Sequence, residues 1–325
     1  MNSSSHIFVT GGTGFFGRAL LRFWQNQDCC GSACPTVTVL TRSSKAFTAS
    51  YPAFSQPWLH LHEGDICNPL TMPRNTAFTH IIHAAADSTL GPQLTPLERY
   101  DQIVCGTRNL LDLAVECGAE RFLYTSSGAI YGPQPGHLER IPEDWSGAPD
   151  PLNPATAYGT AKRTAEHLCA LYRDRYGLET VIARCFAFVG PDLPLDVHFA
   201  IGNFIRDALQ EDAITVAGDG TPLRTYLDQD DLAEWLWVLL ERGRSGEAYN
   251  VGSDEVVSIA QLAYLVRDIL APEKHVRIFA ATCEAGHRNR YLPDISKAFE
   301  ELGLSVRIPL EQAIQRVGEH LRLHQ

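Results

Sequence analysis

The sequence predicts an α/β fold, in which a doubly wound parallel sheet is joined to a smaller, mixed α/β lobe. Three observations predict it. Strand-like apolar runs alternate with amphipathic helical patterns up to Cys185, which is the order that builds a parallel sheet with helices on both faces. The first of these runs ends in a glycine-rich turn, and after Cys185 the alternation becomes irregular.

Six apolar runs supply the predicted strands of this sheet. They cover residues 7–11, 36–42, 59–65, 80–86, 121–127 and 179–185. Helical patterns lie near 17–27, 97–117 and 157–176, and the later ones near 199–210, 229–241, 258–270 and 310–322. The helical patterns at 97–117 and 157–176 each carry one apolar stripe at three-and-four spacing, which predicts one buried face per helix.

The turn after the first strand contains three glycines, Gly11, Gly14 and Gly17, at the start of an amphipathic stretch. Such a turn suits a diphosphate, because glycines allow a tight bend, close approach of the phosphates and close packing of the helix. The free amides and the positive end of the helix dipole then face the phosphates. Glycine turns also join strands to helices in proteins that bind nothing, so this pattern alone leaves both interpretations open.

Composition limits the classes of partner. The 27 basic and 38 acidic residues give a formal charge of -11, which leaves no electrostatic footprint for nucleic acid. No apolar run approaches the roughly 20 residues of a membrane span, so we expect no membrane partner. The N-terminus enters the first strand without a basic leader, so we expect a cytoplasmic protein. The nine cysteines are scattered and no second cluster completes the one at 29–34, so we expect reduced thiols and no metal.

Three residues carry the predicted chemistry: Tyr158 and Lys162, one helical turn apart, and Ser127 at the end of the preceding strand. A tyrosine hydroxyl with an ordinary pKa of about 10 exchanges protons slowly at neutral pH, and a neighbouring ammonium favours its phenolate form. The pair therefore makes a tyrosine usable as an acid or a base. A tyrosine and a lysine at this spacing also occur on solvated helix surfaces, so the argument depends on their combination with the glycine turn.

The glycine turn, the strand end FLYTSSGAIYG and the helix segment YGTAK together resemble the extended short-chain dehydrogenase/reductase family. More narrowly, they are similar to its nucleotide-sugar epimerases, dehydratases and ketoreductases. The resemblance implies that Tyr158 exchanges the proton, that Lys162 binds the nicotinamide ribose, and that Ser127 orients the substrate. Ser126 is the alternative serine and a predicted substrate contact.

The same resemblance implies a Rossmann fold with two parts. Residues 1–185 would bind the dinucleotide, residues 228–252 would return to that domain, and residues 186–227 and 253–325 would form the substrate-binding lobe. It also implies a homodimer built on the two striped helices. Those apolar stripes can equally cover the sheet, and the sequence does not separate the two interpretations.

Further cofactor contacts follow from the resemblance. They are Gly11, Thr13, Gly14, Phe15, Phe16 and Gly17 in the turn, Thr41, Arg42 and Ser43 after the second strand, Asp65 and Ile66 beside the adenine, Ala84, Ala85 and Ala86 under the cofactor, and Tyr158 with Lys162. Asp65 is equally suited to be a helix N-cap, and the alanines to be ordinary packing.

The end of the second strand bears on the choice of cofactor. An NAD enzyme usually places a carboxylate there for the ribose 2′-hydroxyl, whereas an arginine attracts a 2′-phosphate. This chain has Thr41, Arg42 and Ser43 and no carboxylate in that segment. The sequence therefore predicts NADP, with NAD as the alternative because Arg42 is also suited to be a surface residue.

Arginines in the later part of the chain predict a diphosphate-containing substrate. By resemblance, Arg224 and then Arg288 and Arg290 would contact the phosphates of a nucleotide sugar. The alternative is ion pairing with nearby aspartates, since such surface pairs are common and weak.

These observations predict the reaction as NADPH-dependent reduction of a nucleotide-linked 4-keto sugar, such as a dTDP- or CDP-4-keto-6-deoxyhexose. Elimination is poorly supported, because sugar 4,6-dehydratases carry an adjacent Asp and Glu after the strand's Thr, and this chain has Ser126, Ser127, Gly128 and Ala129 instead. The alternatives are a 4-epimerase with tightly bound NAD, a reductase of a non-nucleotide ketone, and a non-catalytic protein that senses NAD(P).

Overall fold

The computed structural model describes residues 5–29, 34–85, 93–196, 199–279 and 290–323. The chain divides into two compact units. The first comprises Met1–Gly132, Gly147–Cys185 and Ala233–Tyr249, and the second comprises Pro133–Ser146, Phe186–Leu232 and Asn250–Gln325. The predicted functional roles of the two parts stay predictions.

The strands and helices follow one another in the order expected from the sequence. The strands are β1 (His6–Thr10), β2 (Thr36–Thr41), β3 (Leu59–Glu63), β4 (His80–His83), β5 (Arg121–Ser127), β6 (Glu179–Cys185), β7 (Phe188–Val189), β8 (Ala213–Val216), β9 (Leu223–Arg224), β10 (Leu227–Asp228), β11 (Ala248–Val251), β12 (Val257–Ser258), β13 (His275–Ile278) and β14 (Arg290–Tyr291). The helices are α1 (Phe15–Cys29), α2 (Ser44–Ser50), α3 (Pro96–Glu116), α4 (Ala157–Tyr176), α5 (Ala200–Gln210), α6 (Gln229–Arg242), α7 (Ile259–Leu270), α8 (Ser296–Leu302) and α9 (Leu310–Leu323).

A seven-stranded sheet in the order β11-β6-β5-β4-β1-β2-β3 forms the centre of the fold. From β6 to β3, neighbouring strands pair in parallel, which confirms the predicted doubly wound α/β class. The strand order reverses between β1 and β4. In open α/β sheets a ligand crevice lies outside the carboxyl ends of the strands at such a reversal, so the topology marks where a ligand belongs.

The strands of this sheet are almost continuously apolar because helices cover both faces. Ile7, Phe8 and Val9 of β1 are buried, and so are Ile81 and Ile82 of β4. The stripes of α3 and α4 pack in the same core through residues such as Leu110, Leu113, Ala161 and Ala165. Leu171 of the α4 stripe is exposed. Most residues of both stripes are therefore buried within the single chain, and the homodimer stays a prediction.

The second unit contains small sheets. β13 pairs in parallel with β8, and β9 lies between β12 and β14. The sequence did not predict these short strands or the seven-residue helices α2 and α8, because two to seven residues carry too little periodicity to be recognised. Among the helices of the described ranges, none has the combination of length and apolar composition that a membrane crossing needs.

Candidate active site

Tyr158 lies in the first turn of α4, which is packed tightly against the end of β5. A Cβ added to Gly159 would lie 2.7 Å from the carbonyl oxygen of Ala129, so only glycine allows this approach. Ala129 belongs to the short 3-10 turn Gly128–Tyr131 that directly follows Ser127. The close packing of Gly159 therefore carries Tyr158 to the carboxyl end of β5, where the switch-point crevice is expected.

Lys162, one turn further along α4, is buried, with 2% of its surface exposed. Its Nζ donates a 2.7 Å hydrogen bond to the carbonyl oxygen of Thr125. The same atom lies 4.8 Å from the ring centroid of Tyr124 and 6.0 Å from that of Tyr158. Burial lowers the pKa of Lys162 to about 8. The cation that the sequence predicted beside Tyr158 is therefore present and held in a fixed position.

Ser127 and Ser126 have different surroundings, because successive side chains of a strand point to opposite faces. Ser127 Oγ accepts a 3.1 Å hydrogen bond from the amide of Ala129. Ser126 Oγ donates to Glu166, whose carboxylate also pairs with Arg184 at 2.9 Å. Arg184 in turn donates to the hydroxyl of Tyr131 at 2.9 Å. The Ser126 hydroxyl thus belongs to a buried polar network, and its predicted contact with substrate stays a prediction.

The glycine turn has the geometry that the sequence suggested. Gly11 has a φ of +71°, and a Cβ there would lie 2.5 Å from the carbonyl oxygen of Ala84. A Cβ on Gly17 would lie 2.1 Å from Cα of Gly12, so the first turn of α1 depends on close backbone packing. Gly14 differs, because a Cβ there would meet only the Gly11 oxygen, at 3.4 Å. Its open side is a cradle for a ligand, and the predicted dinucleotide fits it.

The other residues of the turn have defined places. Phe15 and Phe16 begin α1, with ring centroids 6.0 Å apart. The carbonyl oxygen of Thr13 accepts a 2.8 Å bond from Arg18. This bond fixes the turn from the side of α1.

Under the turn lies a buried row of polar groups. His83 Nδ1 is 2.9 Å from Thr10 Oγ1, and its Nε2 is 3.1 Å from Thr107 Oγ1. Burial lowers the pKa of His83 well below its usual value, so the ring is neutral and structural. Ala84 and Ala85 follow as half-buried residues against Gly11 and Thr10, while Ala86 lies outside the described residues.

The segment predicted to border the adenine is tied to α3. Asp65 Oδ1 accepts a 2.8 Å bond from the amide of Cys67, which makes a tight turn. A Cβ on Gly106 would lie 2.8 Å from Cδ1 of Ile66, and Asn109 donates a 2.8 Å bond to the Ile66 carbonyl. Sequence reasoning missed Gly106 and Asn109, whose only signal was a glycine within a helical pattern.

A carboxylate from a neighbouring strand reaches the end of β2. Ser43 caps α2 by accepting from Ala46 at 3.2 Å, and the amide of Ser44 donates a 2.9 Å bond to Glu63. Thr41 is buried and Arg42 is exposed. The sequence of this segment contains no carboxylate, but the parallel pairing of β2 with β3 brings Glu63 beside it. Glu63 is the functional candidate that sequence reasoning missed, although it stands at a strand end in the segment EGD.

In the second unit, the small sheet places the predicted phosphate contacts. Arg224 on β9 is in register with Tyr291 on β14, and Arg290 is in register with Leu223. Because side chains alternate along a strand, Arg224 shares a face with Tyr291 and not with Arg290. The ring of Tyr291 lies 4.6 Å from that of Phe186. Arg288 lies outside the described residues.

No group of three or more His, Cys, Asp or Glu side chains is arranged to hold a metal ion in the part of the chain that the structure describes.

Comparison with known proteins gives consistent matches. The model of a family described as the NAD dependent epimerase/dehydratase family matches residues 7–252. UDP-glucuronic acid decarboxylase 6 of Arabidopsis thaliana is 30% identical over 324 residues, which cover 99% of this chain and 90% of that protein. UDP-glucuronic acid decarboxylase 1 of Danio rerio is 28% identical and covers 97% of this chain and 72% of that protein.

Solved structures agree on the fold. A dTDP-glucose 4,6-dehydratase from Streptomyces venezuelae, with NAD and TYD bound, has a TM-score of 0.82 and 26% identity, covering 98% of this chain and 97% of that one. A UDP-glucose 4-epimerase from Thermotoga maritima, with UDP-glucose, has a TM-score of 0.83 and 24% identity, covering 98% and 99%. Both alignments run over nearly the whole of both chains.

Proposed function

Because the chain belongs to the NAD dependent epimerase/dehydratase family, within the extended short-chain dehydrogenases/reductases, we propose that it transfers a hydride at C4 of a nucleotide-linked sugar. The observation that carries the proposal is the arrangement at the end of β5. Lys162 is buried against Thr125, and Tyr158 stands one turn before it on a helix packed at Ala129. A protein that only binds a dinucleotide has no need of this acid-base set.

Each residue then has one task. A bound nicotinamide supplies or accepts the hydride. Tyr158 gives a proton to the C4 oxygen, or removes one from it, as the carbon is reduced or oxidised. Lys162 keeps that hydroxyl acidic by its positive charge. Ser127 donates a hydrogen bond to the same oxygen and so fixes the carbon beside the nicotinamide.

The net reaction depends on whether the hydride returns to the same molecule. We favour a redox-neutral course, in which NAD is retained and the sugar is oxidised at C4 and then reduced again. Glu63 supports this course, because a carboxylate near the end of β2 accepts from a ribose hydroxyl and repels a 2′-phosphate. The dTDP-glucose 4,6-dehydratase of similar fold was solved with NAD bound, which points the same way.

Two outcomes fit a redox-neutral course. Return of the hydride to the opposite face gives the C4 epimer. If the sugar is a uronic acid, oxidation at C4 places a ketone β to the carboxylate, and a β-keto acid loses carbon dioxide readily. The similarity to UDP-glucuronic acid decarboxylases over nearly the whole chain makes UDP-glucuronic acid a substrate to test. Elimination has little support, because Gly128 and Ala129 offer no acid or base after Ser127.

Net reduction of a 4-keto nucleotide sugar with NADPH is the second candidate, and Arg42 is the observation that favours it. An exposed guanidinium after β2 is suited to bind a 2′-phosphate. Arg224 is the proposed contact of the substrate phosphates in both cases, since Arg290 lies on the opposite face of the small sheet.

The test begins with the cofactor that the purified protein carries. The protein is denatured, and the released nucleotide is separated and identified as NAD or NADP. The holoenzyme is then incubated with UDP-glucose, UDP-glucuronic acid and a 4-keto dTDP-sugar, the last with and without NADPH, and products are identified by mass and NMR. Retained NAD with an epimer or a pentose product supports the redox-neutral course, and NADPH consumption supports reduction. Unchanged substrates in every incubation would refute the proposed chemistry.

A further inference from the structure

The ammonium of Lys162 is a buried charge with unusual surroundings. Its three protons need partners, because an unsatisfied buried charge is costly. Among the described residues, one hydrogen bond to it is present, from Nζ to the carbonyl of Thr125. The ring of Tyr124 on β5 also lies close to the ammonium, with its centroid 4.8 Å from Nζ.

A carboxylate on the same helix is already engaged elsewhere. Glu166 lies one turn beyond Lys162 on α4 and raises the pKa of Lys162 from a distance. Both of its oxygens bind Arg184, and one also accepts from Ser126. The negative charge of Glu166 is therefore largely balanced by Arg184 and does not pair directly with Lys162.

Four other titratable groups that face Lys162 are neutral near neutral pH: Cys169 on α4, Cys185 on β6, His83 on β4 and Tyr124 on β5. Tyr158 on α4 faces Lys162 as well. Burial raises the pKa of Cys185 to about 12 and that of Cys169 further. Burial also lowers the pKa of His83 well below its usual range. None of these four groups supplies a full negative charge at pH 7.

We propose that the face of the Tyr124 ring holds the Lys162 ammonium in position and in its protonated form, which makes Tyr124 a positioning residue of the active site. A ring face carries negative electrostatic potential, and it attracts an ammonium most strongly where water is absent. Both partners are buried, and β5 fixes the ring next to Thr125, the residue that accepts the hydrogen bond. Ring and carbonyl thus hold the ammonium from two sides.

The consequence for the reaction rests on the proposed function, in which the charge of Lys162 keeps Tyr158 acidic. Burial alone pulls the pKa of Lys162 down toward neutrality. The ring opposes this pull, so its loss lets Lys162 release its proton at a lower pH. Tyr158 then loses its cationic neighbour, and turnover falls in the pH range where wild-type Lys162 is still charged.

The chain is favourable for a direct measurement, because it contains four lysines: Lys45, Lys162, Lys274 and Lys297. The protein is labelled with lysine carrying carbon-13 at Cε, and the shift of each signal is followed against pH by NMR. The Lys162 signal is assigned by its loss in Lys162→Met. This titration reads the charge of Lys162 without any substrate or turnover.

Tyr124→Phe is the matched control, since it keeps the ring and removes the hydroxyl. We expect its Lys162 to titrate as in the wild type. Tyr124→Leu and Tyr124→Met remove the ring, and we expect the pKa of Lys162 to fall by about one unit in each. An unchanged titration in the folded Leu or Met variant would overturn the inference.

A fluorinated phenylalanine at position 124 separates electrostatics from packing. Replacing all five ring hydrogens of phenylalanine by fluorine nearly keeps the shape of the ring but reverses the charge of its face, so we expect the pKa of Lys162 to lie below its value in Tyr124→Phe. A pKa equal to that of Tyr124→Phe would refute the role of the ring face, and this variant decides the matter if the Leu and Met variants do not fold. Failure of the proposed function has a different signature: Tyr158→Phe would keep full turnover, whatever Lys162 does.

Discussion

The pair Glu166–Arg184 gives the sharpest stability prediction. The side chains of Arg184 and Glu166 are 15% and 12% exposed, and the guanidinium binds both carboxylate oxygens. Removing Glu166 leaves a largely buried cation that keeps its contacts with Tyr131, through the hydroxyl and through the ring face at 5.0 Å. Breaking a buried pair from one side costs about 3–5 kcal/mol, and the contact with Tyr131 places Glu166→Leu at about 3 kcal/mol.

A double-mutant cycle isolates the interaction. Arg184→Met alone leaves the Glu166 carboxylate buried with Ser126 as its partner, and the double variant leaves neither charge. We therefore expect the double variant to lose less free energy of unfolding than the two single variants lose together, with a coupling energy of about 3 kcal/mol. Urea unfolding followed by tryptophan fluorescence gives the free energy of unfolding of each variant. If more than one transition is seen, the one at the lowest urea concentration is compared between variants.

A surface pair in the same unit serves as the matched control. The side chains of Arg74 and Glu116 are 41% and 44% exposed, so water screens them. Their cycle, with each residue changed to Ala, should give a coupling energy of about 1 kcal/mol or less. A coupling at Glu166–Arg184 no larger than that of the surface pair would refute the claim that burial makes this network strong.

Four further predictions follow from the site. Tyr158→Phe should lower turnover by about 10²–10⁴-fold while leaving NAD affinity nearly unchanged, as measured by steady-state kinetics and calorimetry; retained turnover would contradict its role. Gly14→Ala should weaken NAD binding without changing the urea midpoint, whereas Gly17→Ala should destabilise the fold because its Cβ would lie 2.1 Å from Cα of Gly12. An equal loss of stability in both variants would contradict the proposal that the open side of Gly14 receives the ligand. Glu63→Gln should improve binding of NADP relative to NAD by about tenfold, since one unfavourable charge contact is removed, and an unchanged ratio of dissociation constants would argue against Glu63. The pKa of Lys162 in the folded chain, about 8, lies below its unfolded value, so the unfolded chain binds more protons between these two pKa values. The free energy of unfolding should therefore rise with pH from about 8 up to the unfolded pKa. Urea midpoints measured at several pH values should depend less steeply on pH in Lys162→Met than in the wild type.

The fold class could be predicted because long periodic segments leave little choice. The strand at residues 121–127 and the helix at 157–176 have the predicted bounds, since apolar runs and apolar stripes define them locally. Short elements such as α2 escaped prediction, because seven residues carry too little periodicity and the surroundings decide their conformation.

The candidate site divides in the same way. Tyr158 and Lys162 could be named from the sequence because both lie on one helix at a fixed spacing. Glu63 could not, because its contact with Ser44, 19 residues earlier, arises from the register in which β3 pairs with β2. Asn109, which holds the Ile66 carbonyl from α3, is a similar case.

The sequence by itself determined the order of strands and helices, the glycine turn and the spacing of the acid-base pair, because each depends on residues within one or two turns of each other. Only the tertiary structure decided which groups surround Lys162, which serine of the pair at 126 and 127 is tied to Glu166, and that a carboxylate reaches the end of β2. The physical reason is that charge, burial and ring contacts act through space. A chain that folds back on itself brings together partners whose distance along the sequence carries no signal.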